Sequence, residues 1–171
     1  MQRVTLYFII SFLLLFISSE QTFAHLDTLK KKSFSFPNQQ GWVNDFEYDL
    51  DSVSKNILID MAKQHQLKTS NQICIITIAN PDEDFAEFTI GLANFWGIGE
   101  KVKNNGVLIA LSKKQRKVHI ATGFGVENIL TDALCKKVID DKMTPKFRSG
   151  DYAGGLIDGM KELIALLEKT N

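Results

Sequence analysis

The sequence predicts an α/β fold, an α/β/α sandwich in which a small mixed sheet carries helices on both faces. Three observations predict it. Residues 73–78 (ICIITI) are short and almost wholly apolar, as a strand covered on both faces must be. Residues 107–111 and 118–121 are β-branched and apolar runs on either side of a polar break at 112–117, which reads as a hairpin. Before, between and after these strands, apolar residues recur at spacings of three and four, the signature of one helical face. Helix, strand, helix, hairpin, helix, helix is a layered arrangement.

Taken in order, the fold proper begins at Gly41-Trp42-Val43-Asn44-Asp45. Leu50, Val53, Ile57 and Met61 then mark the inner face of a first helix that ends near Leu67, with Asp51 or Ser52 placed to cap it. After the first strand, residues 81–84 form a turn and a helix start. Phe85, Phe88, Leu92 and Phe95 or Trp96 line a second helix that Gly97 and Gly99 stop. The hairpin follows. With the break centred near Lys114, Ser112 faces Arg116, and Asn105 comes close to Gly123. Thr131-Asp132 starts a helix with Leu134 and Val138 inside, and residues 143–150 break the pattern through Pro145 and Gly150. Asp151 caps a last helix on which Leu156, Met160, Leu163 and Leu167 face inward.

The chain has 171 residues, 20 basic and 20 acidic, so one domain with a sizeable core is expected and no net field favours a polyanion. Nucleic-acid binding is therefore not expected. Arg3, the apolar run 4–17 and Thr22-Phe23-Ala24 make a secretory signal over residues 1–24, cleaved near Ala24/His25. That run falls short of the roughly 20 residues that span a bilayer, and no later run is long enough. The mature chain is expected without a transmembrane anchor, in the periplasm or secreted. Residues 25–36 read as a flexible linker, pinned at its end by Phe34, Phe36 and Pro37, and 37–171 as the domain. Export permits a Cys74–Cys135 bridge, yet both cysteines sit in apolar settings and read as buried hydrophobes.

Several chemistries find no support. Gly123-Phe124-Gly125 opens like a dinucleotide loop, but Asn128 stands where the third glycine belongs, and a hairpin arm precedes it. Gly97-Ile98-Gly99-Glu100-Lys101 lacks P-loop spacing. Asp49-Leu50-Asp51 is better explained by helix capping than by an aspartyl-phosphate nucleophile. His65 and His119 read as surface imidazoles, and neither cysteine has a group to lower its pKa. A hard cation does better, since calcium and magnesium take oxygen ligands. The doubled hairpin brings Asn104 or Asn105, Glu127 and Asp132 to one sheet end, with Gly123 and Gly125 leaving backbone carbonyls accessible. Each has a plainer role: Asp132 at a helix N-terminus, Glu127 in solvent, Asn105 in a turn.

Trp42-Val43-Asn44-Asp45, Phe95-Trp96-Gly97-Ile98-Gly99, Asn104-Asn105-Gly106-Val107-Leu108, Gly123-Phe124-Gly125-Val126-Glu127, Leu130-Thr131-Asp132 and Pro145-Lys146-Phe147-Arg148-Ser149-Gly150-Asp151-Tyr152 together resemble the successive motifs of the TPM domain family. The resemblance covers nearly all of the expected mature chain. It implies an extracytoplasmic α/β/α sandwich with a calcium site at one sheet end, drawing on Asp45, Asn105, Glu127 and Asp132, with Asn104, Gly123 and Gly125 beside them and magnesium as the alternative ion. Many members carry Asp where this chain has Asn104, which removes a negative charge here. Many bacterial members also carry a C-terminal membrane helix or Gly-rich tail, whereas this sequence stops at Asn171, so a free exported domain is expected.

Two functions follow as expectations. One is an accessory or protein-interaction module with a divalent-metal site and a protein partner. The other is a metal-dependent acid phosphatase acting on phosphomonoesters, with Asp45 or Glu127 orienting water and Arg148 available to phosphate. The first is preferred, because phosphoryl transfer needs more positioned charge than these residues supply.

Overall fold

The hairpin forms one residue out of the expected register: Ser112 pairs with Lys117 rather than Arg116, and Val107 pairs with Thr122. In the computed structural model, which describes residues 35–79 and 84–169, the elements run β1 (Val43–Asp45), α1 (Ser52–Thr69), β2 (Gln72–Thr77), α2 (Phe85–Trp96), β3 (Gly106–Ser112) and β4 (Lys117–Thr122). After these come α3 (Asp132–Val138), a π-helical segment (Ile139–Met143), α4 (Thr144–Arg148) and α5 (Tyr152–Glu168). The expected signal segment, the linker apart from Ser35 and Phe36, and residues 81–83 of the expected turn lie outside the described residues. No helix among the described residues is long and apolar enough to cross a membrane.

The sheet has the order β1-β2-β3-β4. The first three strands are parallel and β4 returns antiparallel to β3. Period-two alternation splits the buried strand residues between two cores. Ile73, Ile75, Val107, Ile109 and Ile120 pack with Leu58 and Ala62 of α1 and with Leu156, Met160 and Leu163 of α5. Cys74, Ile76, Leu108, Ala110 and Ala121 pack with Phe85, Phe88 and Leu92 of α2. The strands advance in one direction while α1 and α2 cover opposite faces. The two crossovers therefore have opposite hands, and one of them is the rare left-handed kind.

The expected inner residues of α2 and α5 are buried, save Trp96, which is half-buried, and Phe95, which stays largely exposed beside Phe36. Phe36 also packs on Phe88, and the Pro37 carbonyl accepts from Trp96 Nε1 at 2.8 Å, so this stretch is pinned as expected. The first helix is turned from its expected orientation. Val53 and Ile57 are exposed, whereas Leu58, Ala62 and His65 are buried. Residues 53–62 are apolar over a wide arc, so two stripes compete, and contact with α5 selects the second. The chain also continues helically beyond Met143. Pro145 falls in the first turn of α4, where its missing N–H is tolerated, and the helix stops only at Ser149-Gly150.

Candidate functional site

Each end of the sheet is built by different residues. At the carboxyl end of the parallel strands, each acidic residue of 45–51 is tied to a neighbour, although Asp49 Oδ2 is buried without a hydrogen-bond partner. Asp45 Oδ1 accepts from Thr77 Oγ1 and from the Asp49 N–H, and Oδ2 accepts from the Leu50 N–H at 3.0 Å. Glu47 accepts from the backbone N–H groups of Lys113 and Lys114 in the hairpin turn. Asp49, almost wholly buried, pairs with Lys113 Nζ at 2.8 Å, and the hydrogen bond to this carboxylate holds the lysine above its ordinary pKa. Asp51 caps α1 through Ser54, as expected.

At the other end, two loops interlock. Gly123 and Gly125 are required there, since a Cβ on either would run into the carbonyl oxygens of Asn104 and Lys103. The Gly125 N–H donates to Asn104 O, and the Gly123 N–H to Gly106 O. Asn105 is buried and saturated. Its Oδ1 accepts from the Glu100 N–H at 2.8 Å, and its Nδ2 donates to Ser70 O at 2.9 Å. It ties the end of α1 to the loop before β3. Asn104 takes a left-handed backbone (φ 49°) and is exposed. Glu127 and Asp132 are exposed as well, Asp132 at the first position of α3, where Thr131 supplies the cap.

The expected four-residue calcium shell does not assemble. Asp45 shares its rung with Thr77 and Leu111, whereas Asn105 precedes β3 at the opposite end. Six residues of extended strand separate those rungs, roughly 20 Å. The fold does bring Asn104, Asn105, Gly123, Gly125 and the Glu127 loop together, as the doubled hairpin requires. Calcium needs about six to eight oxygens. With Asp45 at the far end, the Asn105 amide committed to the backbone and Glu127 and Asp132 exposed, these four residues do not form one closed divalent shell. Among the described residues, no three His, Cys, Asp or Glu side chains are grouped so as to hold an ion.

The cysteines and two of the histidines are shaped by burial. Cys74 and Cys135 are free and buried in opposite cores, so no bridge joins them. Burial pushes their thiols up, to about 12 and about 11 respectively. His65, expected at the surface, is buried beside Glu168 and Thr69, and desolvation lowers its pKa. His119 is half-buried and likewise lowered by desolvation, against an opposing pull from Asp132 and Asp84.

One crevice does stand out by its chemistry. Between the hairpin turn and the start of α5 lies a half-open groove of about 560 Å³, lined by Arg116, Lys117, Arg148 and Tyr152 with Val118 and Phe147 among its apolar walls. No acidic residue lines it. Its position, at the carboxyl end of parallel strands, is where open α/β sheets hold their ligands. Sequence reasoning named Arg148 without placing it and passed over Arg116, which gave no periodic or motif signal.

Three parallel strands with one antiparallel edge strand, covered by helices on both faces, define an α/β domain. The chain matches the TPM domain over residues 43–166 and belongs to that family. It is similar to the solution structure of the N-terminal domain of a protein from P. gingivalis, at 32% identity over 75% of this chain and 83% of that one, with a TM-score of 0.70. It shares its fold with the BA42 protein of Bizionia argentinensis (20% identity, 72% and 85% of the two chains, TM-score 0.62). The same holds for the N-terminal domain of a Corynebacterium glutamicum protein (17% identity, 77% and 82%, TM-score 0.59). No curated protein matches.

Proposed function

We propose that the chain is an accessory, protein-interaction domain that makes contact through its interlocked loop end. One observation carries this: Val102 and Phe124 are 94% and 82% exposed on two loops whose backbones interlock where Gly123 and Gly125 pack against the Asn104 and Lys103 carbonyls. Large apolar side chains held outward on a preorganised backbone suit recognition, because binding then costs little ordering entropy. Lys101 and Glu127, exposed in the same two loops, give them charged flanks, as the polar rim of an interface does.

The phosphatase reading finds less support. Arg148 lies beside β4, with the rest of the sheet between it and Asp45 on β1, and Glu127 sits at the other end. Three strand spacings alone amount to roughly 14 Å. Asp45 already accepts three hydrogen bonds from Thr77, Asp49 and Leu50, which commit it to bracing the turn into α1.

The test uses crosslinking of the exported chain in its host, comparing wild type with Val102→Ser/Phe124→Ser. The expected result is unchanged folding with loss of the crosslinked species. Crosslinks that persist in the double variant would overturn the loop end as the contact surface. Turnover of a generic phosphomonoester, abolished by Asp45→Asn or Glu127→Gln in a folded variant, would overturn the non-enzymatic reading.

A further inference from the structure

We infer that the outer edge of β4 accepts an extended acidic peptide as an added strand, with its carboxylates paired to Arg116 and Arg148. This surface is separate from the loop end and stands without it. β4 is the last strand of the sheet. Gly123 N donates to Gly106 O just beyond the ladder, so alternation leaves the N–H and C=O groups of Val118, Ile120 and Thr122 pointing away from β3. Among the described residues, none of these groups has a backbone partner outside the hairpin. An unpaired edge of this kind is a template for strand addition, in which main-chain hydrogen bonds give affinity and alternate side-chain pockets give specificity.

Both faces of that edge carry a groove. On the α5 side is the basic groove of Arg116, Arg148, Val118 and Phe147. On the α2 side a second, of about 540 Å³, runs between Arg116–His119 and the start of α2 at Asp84–Ala86, so Arg116 borders both. A strand laid along β4 would send alternate side chains into each.

Charge identifies the occupant. Neither Arg116 nor Arg148 has an ion-pair partner among the described residues, whereas lysines nearby are neutralised: Lys113 by Asp49, and Lys146 by Asp151 and Asp158. Guanidinium groups match carboxylates with paired N–H donors. The α2-side groove sets Asp84 against Arg116 and Lys117 around Phe85 and Ala86, so its charges are mixed and apolar side chains suit it. The fitting ligand alternates acidic and apolar residues.

The probe is fluorescein-labelled Glu-Val-Glu-Val-Glu-Val, titrated against the domain by anisotropy, with two further forms N-methylated at alternate residues. Expected are saturable binding, slowed amide exchange at Val118, Ile120 and Thr122, and at least tenfold loss with one N-methylated form only. Arg116→Glu/Arg148→Glu, both at exposed positions, should also weaken binding at least tenfold, and Lys-Val-Lys-Val-Lys-Val should not bind. Equal binding of all the Glu-Val forms would overturn strand addition. So would the absence of binding, or displacement of the probe by millimolar inorganic phosphate, which would mark a small-anion groove instead.

Discussion

Asp45 and Asn105 show how a polar residue can look like a ligand in sequence and prove to be a brace in the fold. Asp45 accepts three donors and closes the turn into α1, while Asn105 joins two loops from a buried position. Removing either orphans donors that water reaches poorly. Asp45→Ala and Asn105→Ala are each expected to lower unfolding free energy by about 1–3 kcal/mol, measured by urea denaturation. Gly125→Ala should cost a similar amount through overlap with Lys103 O, an overpacking effect of about 1–3 kcal/mol. The cysteines belong to this scale too. Thiols held at about 12 and about 11 and buried in opposite cores should resist a maleimide at pH 7 until the chain is unfolded.

Helix faces decide the pH response. His65 joins α1 to α5 through Glu168, and burial holds its pKa below the ordinary 6.5; His119 is lowered in the same way. The unfolded chain therefore binds protons more tightly than the folded one. Stability should be full above about pH 6.5 and fall as the pH drops below it, because protonation favours the unfolded state. Melting scans at pH 7.5 and pH 5.0 check this, and His65→Gln should reduce the difference. A second feature at this scale is the packing of α5 on the π-helical segment. Gly155 and Gly159 let Met143 and Phe147 approach the α5 backbone, so Gly155→Ala should displace the Phe147 ring and destabilise the fold by about 1–3 kcal/mol.

For the whole molecule, the placing of Asp45 and Asn105 at opposite sheet ends predicts a weak response to calcium. Calcium at 1 mM is expected to raise the melting temperature by no more than about a degree, since ligand stabilisation requires a concentration well above Kd. Asp45→Asn should leave that small response unchanged. A rise of several degrees that Asp45→Asn abolishes would show that the carboxyl end binds the ion after all.

The layers, the buried strand and the hairpin were legible in the sequence because period and composition are local properties: 73–78 could be little other than a buried strand, and Leu156, Met160, Leu163 and Leu167 all face inward as spaced, whereas the three-residue β1 is too short to leave a pattern. The loop juxtaposition was legible too, since a hairpin fixes what lies beside its open end to within the one residue by which the register slipped. Only tertiary structure decided which stripe of α1 turns inward, which face of the sheet each helix covers, and that β1 runs parallel to β2. That last choice carries Asp45 to the far end from Asn105, and it depends on pairing between segments some thirty residues apart. Pattern within a segment records what a residue buries, but strand direction and helix face are settled by contacts between segments, which no local period encodes.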